Sequence, residues 1–529
     1  MLKRVTSLYT AFVLFMMALL GRIAYINNSS YSEAAQKNTV RTLVVADKRP
    51  TVYDRNYEKL TNSENRLIAV VTPLAGITAY LSDYMSAQEM KQKINKGFPF
   101  TVEVKEKINN ELIRTFEVPI RYSENHSAVH LIGYTDSKGH TGVSGIEKAY
   151  NDFMKENSGT LSVSFQADAK GRILPGMDKY INDSNFSSEA GVVLTIDKNI
   201  QQITEKALQQ SRIESGCAIV MHVDTGEILS LVSVPTYDPG NLSASLDKEN
   251  SPFVNKALQS YCEGSGFKPL VAAAALECGK SIDYEYECEG EITVGDTVFR
   301  CFDNKKHGKV NMSGALENSC NTYFINLIMN MDVELLLSLC KKINLGKSDE
   351  IYKGCRTASG SVPDEKVLEV KGEIANLAFG QGGLMMTPIQ MLKMYHVLAT
   401  GNYIDVSVVR GLADSRCMLE RENSESEPVK ILSDSTVNNI RQMLSSVVEK
   451  GNADKAHSTT VSLAGKTGTA QSGIYEKGKE ICRTWFSGFF PSENPHYIVV
   501  VMNEKGKSGN SDCAPVFRKI CEEICGAKR

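Results

Sequence analysis

The most hydrophobic stretch of the chain lies at its beginning. No charged residue occurs in Val5–Gly21, and after Arg22 the apolar pattern resumes in Ile23–Ile26. A run of this length can span a bilayer as a helix if the arginine side chain reaches the interface. Lys3 and Arg4 precede the run, which indicates that the N-terminus stays in the cytoplasm.

A cleavable signal peptide is the alternative interpretation of the same segment. It predicts a small-x-small cleavage site directly after the apolar run, and the sequence has none there. We therefore predict a cytoplasmic tip and an uncleaved single-pass anchor over residues 1–28, with the rest of the chain outside the cytoplasm.

The pattern of the remaining chain changes near residue 190. Residues 29–190 are polar, with short strand-like and helix-like runs, and we predict a smaller mixed α/β pedestal domain there. Val192–Ile196 then form a predicted strand, Asp197 is a plausible N-cap, and Asn199–Gln209 a predicted helix. A second domain is predicted over residues 191–529.

Two predicted hairpins lie at opposite ends of that second domain. Cys217–Val223 and Glu227–Val234 are apolar runs joined by a turn, and so are Trp485–Phe490 and Tyr497–Met502. The segments between the hairpins include helical patterns at Pro269–Cys278 and Thr322–Asn330. Strands at both ends with helices between them predict an α+β domain, whose antiparallel sheet combines segments that are distant in sequence.

Composition excludes some functions. The chain has 529 residues, 23% of them charged, and a net charge of −3, so no broad basic surface points to nucleic acid. Thirteen cysteines all lie between Cys217 and Cys525, without a C-x-x-C pair, and spacing therefore gives no support for a metal site. A disulfide between Cys288 and Cys301 remains possible, but most cysteines are expected to be buried free thiols.

The first candidate catalytic residues are Ser265 and Lys268. A serine hydroxyl needs a base before it can act as a nucleophile, and a lysine three residues later on a helix faces the same side. Burial near another cation would favour the neutral amine that a base requires. The apolar run Val271–Glu277 predicts that the serine lies at a helix N-terminus, where free N–H groups favour developing negative charge.

The spacing S-x-x-K alone is weak evidence, because it occurs twice more. Ser338/Lys341 lies within a helical pattern and Ser245/Lys248 in a polar loop, so neither has a comparable context.

A second candidate element is Ser319-Cys320-Asn321, directly before an apolar helical run. The plainer interpretation is that Ser319 is the N-cap of that helix. The two roles are compatible, because a capping segment can also present a hydroxyl and an amide to a cleft.

The third element is Lys466-Thr467-Gly468-Thr469, and K-T-G occurs once in the chain. A lysine beside two hydroxyls on an edge strand suits a substrate carboxylate, and the glycine allows a close approach of the ligand. The phosphate-binding P-loop is excluded, because Thr460 occupies its first glycine position and no helix pattern follows.

In order and spacing, these three elements resemble the motifs of penicillin-binding proteins and serine β-lactamases. Further segments resemble landmarks of class B penicillin-binding proteins: Arg49–Asn56, Gly142–Tyr150, Asp168–Arg172, Leu194–Asp197, Gly380–Gly382 and Thr387–Met391. The resemblance covers about residues 40 to 520. It implies a transpeptidase/β-lactamase-like α+β fold, with an antiparallel sheet flanked by helices.

The departures from the family pattern remove no functional group. Glu263 stands where proline usually precedes the glycine before the nucleophile, and Gly266 where threonine or serine is usual. Pro50 and Tyr57 each replace a glycine of the segment that follows the membrane.

The resemblance also implies a mechanism and partners. Ser265 would attack a stem peptide ending in D-Ala-D-Ala, with Lys268 as base and Asn321 positioning that lysine and the substrate amide. Ser319 would relay the proton with Lys268, with Lys466 as a further candidate. Lys466, Thr467 and Thr469 would hold the substrate carboxylate beside Gly468, and the N–H groups of Ser265 and Thr469 would form the oxyanion hole. No metal or organic cofactor is expected.

The resemblance further implies a bacterial cell-membrane protein, with its catalytic domain outside the cytoplasm and inhibited by β-lactams. Because residues before 190 show no glycosyltransferase pattern, an integral-membrane glycosyltransferase partner is expected to polymerise the glycan.

Three other functions remain open from the sequence. A D,D-carboxypeptidase differs only in using water as the acceptor. A β-lactam-hydrolysing or β-lactam-sensing protein has the same motifs but needs no polar domain of this size, and no E-x-x-x-N match lies near residues 355–365. The third is a non-catalytic scaffold that docks a glycosyltransferase.

Overall fold

A computed structural model of the chain describes residues 2–28, 40–74, 76–168, 173–174, 179–421, 426–476 and 478–527. The chain forms two compact units. The first comprises Met1–Pro50, Asn62–Arg121 and Glu156–Ser188, and the second comprises Thr51–Thr61, Tyr122–Lys155 and Glu189–Arg529. The segments Thr51–Thr61 and Tyr122–Lys155 were predicted to lie in the pedestal domain but belong to the second unit. In the first of them, Thr51–Tyr53 pair with the strand Gly191–Leu194 of that unit. The predicted domain limits at residues 28 and 190 stay predictions.

The predicted apolar segment is one continuous helix, Leu2–Asn27, and none of its 26 residues is buried. At 1.5 Å per residue the helix is about 39 Å long. Its length and composition are sufficient to cross a membrane.

The rest of the first unit is built on two three-stranded antiparallel sheets. Their strands, in spatial order, are Val40–Lys48, Gly159–Gln166 and Tyr180–Ser184 in one, and Phe100–Val104, Glu64–Val71 and Ile113–Ile120 in the other. The helices Thr78–Leu81 and Ala87–Lys96 accompany the second sheet. Ser86 caps the longer helix by accepting a hydrogen bond from the N–H of Glu89, and Met90 of that helix is buried with strand residues such as Val71.

The second unit is organised around a five-stranded antiparallel sheet that joins the two predicted hairpins. Its strands, in spatial order, are Ile228–Val234, Gly216–His222, Tyr497–Gly506, Lys479–Phe490 and Ala464–Glu476. The pairing of Ala218 with Val501 closes the sheet between the two ends of the domain. Ala464–Glu476, hereafter the edge strand, lies at one margin.

Helices cover both faces of this sheet. Consecutive residues of a strand point to opposite faces, and Cys217–Met221 and Ile498–Met502 are all buried. The helix Pro388–Thr400 packs on the sheet, and so does Ala514–Ala527, which also contacts Lys198–Gln209. Such cover explains why these strands are almost continuously apolar.

The second unit also contains further helices and several small sheets. Its remaining helices are Val129–Ile132, Gly145–Ala149, Asn151–Glu156, Lys268–Glu277, Met312–Glu317, Asn321–Met329, Val333–Lys342, Lys371–Leu377, Asp434–Glu449 and Gly509–Asp512. A four-stranded sheet contains Leu419–Arg421, Val409–Ala413, Gly191–Leu194 and Thr51–Tyr53. The two-stranded sheets are Tyr286–Cys288 with Gly308–Val310, Glu291–Val294 with Thr297–Arg300, Glu350–Tyr352 with Cys355–Arg356, and Asn402–Tyr403 with Val429–Lys430.

Local sequence signals match these elements closely. Asp197 is the N-cap of Lys198–Gln209, as predicted, and accepts hydrogen bonds from the N–H groups of Asn199 and Ile200. Both hairpins and the helices predicted near residues 269 and 322 are confirmed. Most of the landmark Asp168–Arg172 lies outside the described residues.

Candidate active site

Ser265 lies in a single helical turn, Gly264–Phe267, that continues into the helix Lys268–Glu277. Its side chain is half-buried, whereas Phe267 and Lys268 are fully buried. The predicted position at a helix N-terminus is confirmed. Backbone N–H groups of the first turn have no helical partner, so this position favours negative charge that develops beside the serine.

The first and second motifs meet at the ammonium group of Lys268. Nζ of this lysine donates hydrogen bonds to the carbonyl of Ser319 at 2.7 Å, to the Ser319 hydroxyl at 3.2 Å and to Oδ1 of Asn321 at 2.7 Å. Burial lowers the pKa of Lys268 to about 8. A lysine with this pKa is partly neutral near physiological pH and can accept a proton. Among the described residues, the Ser265 hydroxyl itself makes no hydrogen bond.

Ser319 is not the N-cap of the following helix. That helix begins at Asn321, and its cap is Cys320, whose sulfur accepts a hydrogen bond from the N–H of Tyr323 at 3.4 Å. Ser319 precedes the cap in a left-handed backbone conformation with φ of 54°, and its hydroxyl is directed to Lys268. The alternative interpretation of this serine as a cap is therefore wrong, because the cysteine takes that position.

The third motif lies on the edge strand. Lys466 is completely buried, and Nζ donates to the carbonyl and the hydroxyl of Thr467 at 3.3 and 3.2 Å. Burial lowers the pKa of Lys466 well below its usual value, and the positive charge of Lys268 lowers it further. The hydroxyl of Thr469 accepts a hydrogen bond from the N–H of Gly509 at 3.2 Å.

Two glycines let the edge strand approach the serine turn. A Cβ on Gly264, whose φ is +61°, would lie 2.5 Å from the carbonyl oxygen of Thr469. A Cβ on Gly468 would lie 2.5 Å from the carbonyl oxygen of Glu263. Both distances are too short for any side chain. The structure therefore brings the first and third motifs into backbone contact, although about two hundred residues separate them.

Residues outside the three catalytic motifs support the serine turn. The N–H of Gly264 donates to the carbonyl of Gly380 at 3.1 Å, in one of the predicted landmarks. The indole N–H of Trp485, which is fully buried, donates to the carbonyl of Cys262 at 2.9 Å. The position of Trp485 in a predicted strand gave no signal of this contact.

Glu263 carries a buried carboxyl group directly before the serine turn. The residue is fully buried, and within the described part of the chain neither carboxylate oxygen has a hydrogen-bond partner. Burial raises the pKa of Glu263 well above its usual value, so the folded protein retains a proton that the unfolded chain loses above pH about 4.3.

We expect Glu263→Gln to become more stable than the wild type as pH rises. Between the unfolded and folded pKa values, the wild type loses about 1.4 kcal/mol of folding stability per pH unit relative to the glutamine variant. Melting temperatures of the full-length protein in detergent, measured from pH 5 to 8, check this. Glu249→Gln removes an exposed carboxyl group and serves as the control. A difference between Glu263→Gln and the wild type that stays constant with pH contradicts the prediction.

The structure groups four possible metal ligands that the sequence did not. The ligand atoms of Cys288, Cys301, His307 and Cys320 all lie within 4.8 Å of one another. Sequence spacing could not indicate this cluster, because each residue comes from a different segment and none belongs to a C-x-x-C pair. Cys320 also lies inside the second motif.

Comparison with known proteins identifies a family model and relatives that match most of the chain. The family model for the penicillin-binding protein transpeptidase domain matches residues 216–522. Stage V sporulation protein D of Bacillus subtilis is 27% identical over 95% of this chain and 82% of its own. Peptidoglycan D,D-transpeptidase MrdA of Acinetobacter baumannii is 25% identical over 96% of this chain and 85% of its own.

Solved structures share the fold. Penicillin-binding protein 3 of Mycobacterium tuberculosis, in complex with aztreonam, superposes with a TM-score of 0.65 at 21% identity, covering 92% of this chain and 97% of that one. A peptidoglycan synthase complex that coordinates polymerization and crosslinking gives a TM-score of 0.72 at 22% identity, covering 99% of each chain. The predicted fold class is confirmed.

Proposed function

Because the chain belongs to the penicillin-binding protein transpeptidase family, and within it to class B, we propose that it crosslinks peptidoglycan stem peptides through an acyl-enzyme on Ser265. The observation that carries this proposal is the hydrogen bonding of Lys268 to Ser319 and Asn321. The edge strand with Lys466 lies against the same serine turn.

The donor in this proposal is a stem peptide ending in D-Ala-D-Ala. Its terminal carboxylate binds Lys466 and the hydroxyls of Thr467 and Thr469. Each hydroxyl already accepts a hydrogen bond, from Lys466 and from the N–H of Gly509 respectively, so its own proton remains available for the carboxylate. Arrival of the carboxylate also restores the charged form of Lys466, because a nearby anion favours a cation.

Acylation transfers the Ser265 proton to Nζ of Lys268 while Oγ bonds to the carbonyl carbon of the penultimate D-alanine. Negative charge on the carbonyl oxygen is stabilised by the N–H groups of Ser265 and Thr469. The C–N bond then breaks, and Ser319 relays a proton from Lys268 to the departing D-alanine amine.

Deacylation uses an amine of a neighbouring stem peptide. The amine attacks the ester carbonyl, its excess proton returns through Lys268 to Oγ of Ser265, and an amide bond replaces the ester. Asn321 positions Lys268 through both steps, since its side-chain N–H holds the carbonyl of Arg300 at 2.9 Å while its oxygen faces the lysine. β-Lactams would acylate Ser265 in the same geometry.

The rate of acylation is expected to rise with pH and to level off above about 8. Only the neutral amine of Lys268 can take the serine proton, and the pKa of this group is about 8. The rate should therefore increase about tenfold per pH unit below pH 7. Stopped-flow measurement with a chromogenic cephalosporin, from pH 5.5 to 9.5, tests this. A rate that is flat over this range, or that still rises steeply above pH 9, excludes Lys268 as the base.

Membrane topology and partner also belong to this proposal. The helix Leu2–Asn27 would cross the membrane once, with the catalytic domain outside the cytoplasm. An integral-membrane glycosyltransferase would supply the glycan strands. The likeness to a chain of a complex that coordinates polymerization and crosslinking supports such a partner.

The experiment that tests the function supplies the purified full-length protein with a stem-peptide thioester and an amine acceptor. Mass spectrometry of the products is expected to detect the crosslinked amide. If only hydrolysed thioester is found, the protein acts as a carboxypeptidase. If the thioester is unchanged although the protein is folded, the non-catalytic scaffold function is supported.

A further inference from the structure

Three cysteines and one histidine form a compact cluster beside the second motif. The sulfurs of Cys301 and Cys288 are 3.8 Å apart, and so are those of Cys301 and Cys320. Nδ1 of His307 lies 3.3 Å from the sulfur of Cys288. All three cysteines are buried, and the histidine is half-buried. Among the described residues, this is the group whose side chains could hold a metal ion.

The distances match a tetrahedral zinc site. With Zn–S bonds of about 2.3 Å and a Zn–N bond of about 2.0 Å, two sulfurs lie about 3.8 Å apart and a sulfur lies about 3.5 Å from the nitrogen. The remaining pairs lie within 4.8 Å, so an ion would need to shorten any of these distances by no more than about 1.3 Å.

A disulfide explains the cluster less well. All thirteen cysteines are free thiols, and a disulfide requires sulfurs about 2 Å apart. The Cys301 sulfur is equally distant from two others, so the geometry selects no pair, and a disulfide would leave both the third cysteine and His307 without a role.

Hydrogen-bond donors lie next to the cysteine sulfurs, as they do around metal-bound thiolates. The Thr322 hydroxyl, fully buried, donates to the sulfur of Cys288 at 3.1 Å and lies 3.4 Å from that of Cys320. The N–H of Tyr323 donates to the sulfur of Cys320 at 3.4 Å. Hydrogen bonds of this kind stabilise the negative charge of metal-bound thiolates and orient them.

We propose that Cys288, Cys301, His307 and Cys320 bind one Zn²⁺ in a closed structural site. Three thiolates and one imidazole form a complete tetrahedral set of the type found in structural zinc sites, and soft sulfur ligands favour zinc over magnesium or calcium. Binding releases the three thiol protons, and no electron is transferred.

The ion would join three other segments to the second motif, which itself contains Cys320. Cys288 ends one strand, Cys301 follows the hairpin Glu291–Arg300, and His307 precedes another strand. Cys320 caps the helix that begins at Asn321. Zinc would therefore fix the backbone from which Ser319 and Asn321 reach Lys268. This consequence rests on the proposed function, whereas the metal site itself does not.

The test measures metal on the full-length protein purified in detergent from zinc-supplemented cells. We expect about one zinc per chain in the wild type and at least about a tenfold lower content in Cys301→Ser. The control is Cys521→Ser, which alters another buried cysteine outside the cluster and should retain the zinc. If Cys301→Ser does not fold, Co²⁺ is exchanged into the wild type and the absorption spectrum is recorded instead. Tetrahedral thiolate coordination is expected to give intense visible bands and a sulfur-to-cobalt charge-transfer band.

Two results would overturn the site. One is wild-type protein that holds neither zinc nor cobalt with such a spectrum. The other is a disulfide among the three cysteines, found by peptide mapping of protein prepared with zinc. Zinc at full content in protein that penicillin does not label would contradict the proposed function and leave the metal site supported.

Discussion

Replacing Ser265 with alanine is expected to abolish covalent labelling by a fluorescent penicillin. The variant removes one half-buried hydroxyl at the start of a helix and leaves the interactions of Lys268 intact. Loss of a catalytic nucleophile typically costs several orders of magnitude in rate, so we expect at least about a thousandfold decrease. Labelling is measured by gel fluorescence over time, with melting temperature as the check of folding.

The chain provides matched controls for this variant. Ser245→Ala and Ser338→Ala alter the serines of the other two S-x-x-K sequences, and both should label at the wild-type rate. Ser245 lies in the short turn Leu242–Ser245 and Ser338 in the middle of the helix Val333–Lys342, away from a helix N-terminus. Wild-type labelling of Ser265→Ala would show that the nucleophile is another residue.

Lys268→Met is expected to lower the rate of acylation by about a hundredfold to ten-thousandfold, the usual contribution of a general base. Methionine fills a similar volume without an amine, so Ser265 would keep its hydroxyl but lose its proton acceptor. The remaining rate should no longer follow the pH dependence with a midpoint near 8. Second-order acylation rates with a chromogenic cephalosporin measure both effects.

Lys341→Met is the control for charge removal, because Lys341 is an exposed residue of another S-x-x-K sequence. It should acylate at the wild-type rate. A Lys268→Met variant that folds and retains the wild-type rate would contradict the assignment of this lysine as the base.

The sequence predicted several elements of the second unit and contains all three motifs. Turn residues and period-two apolar runs indicated both hairpins, and the S-x-x-K serine at the head of a long apolar run indicated its helix. These features depend on residues close in sequence, which is why they could be identified without coordinates.

Contacts between distant segments were not predictable in the same way. The resemblance implied that Lys466 and Ser265 share a cleft, but the sequence did not reveal the backbone approach of Gly264 to Thr469 or of Gly468 to Glu263. The burial of the Glu263 carboxyl group was not predictable from the sequence either, because a glutamate before a glycine usually indicates an exposed turn.

The cysteines illustrate the same limit. In sequence, Cys320 is the middle residue of the second motif and Cys301 one of thirteen scattered thiols. Only the folding of the hairpin Glu291–Arg300 against the helix that begins at Asn321 brings them together, through contacts such as the hydrogen bond from Asn321 to the carbonyl of Arg300. Ligand spacing rules apply to local motifs, and this cluster has none.

The assignment of Ser265 as the nucleophile is tested most directly by identifying the residue that a β-lactam acylates. Full-length protein is treated with benzylpenicillin, digested and mapped by mass spectrometry. We expect a single adduct on the peptide that contains Ser265, at about one per chain. An adduct on another residue with Ser265 unmodified, or no adduct on folded protein, would contradict it.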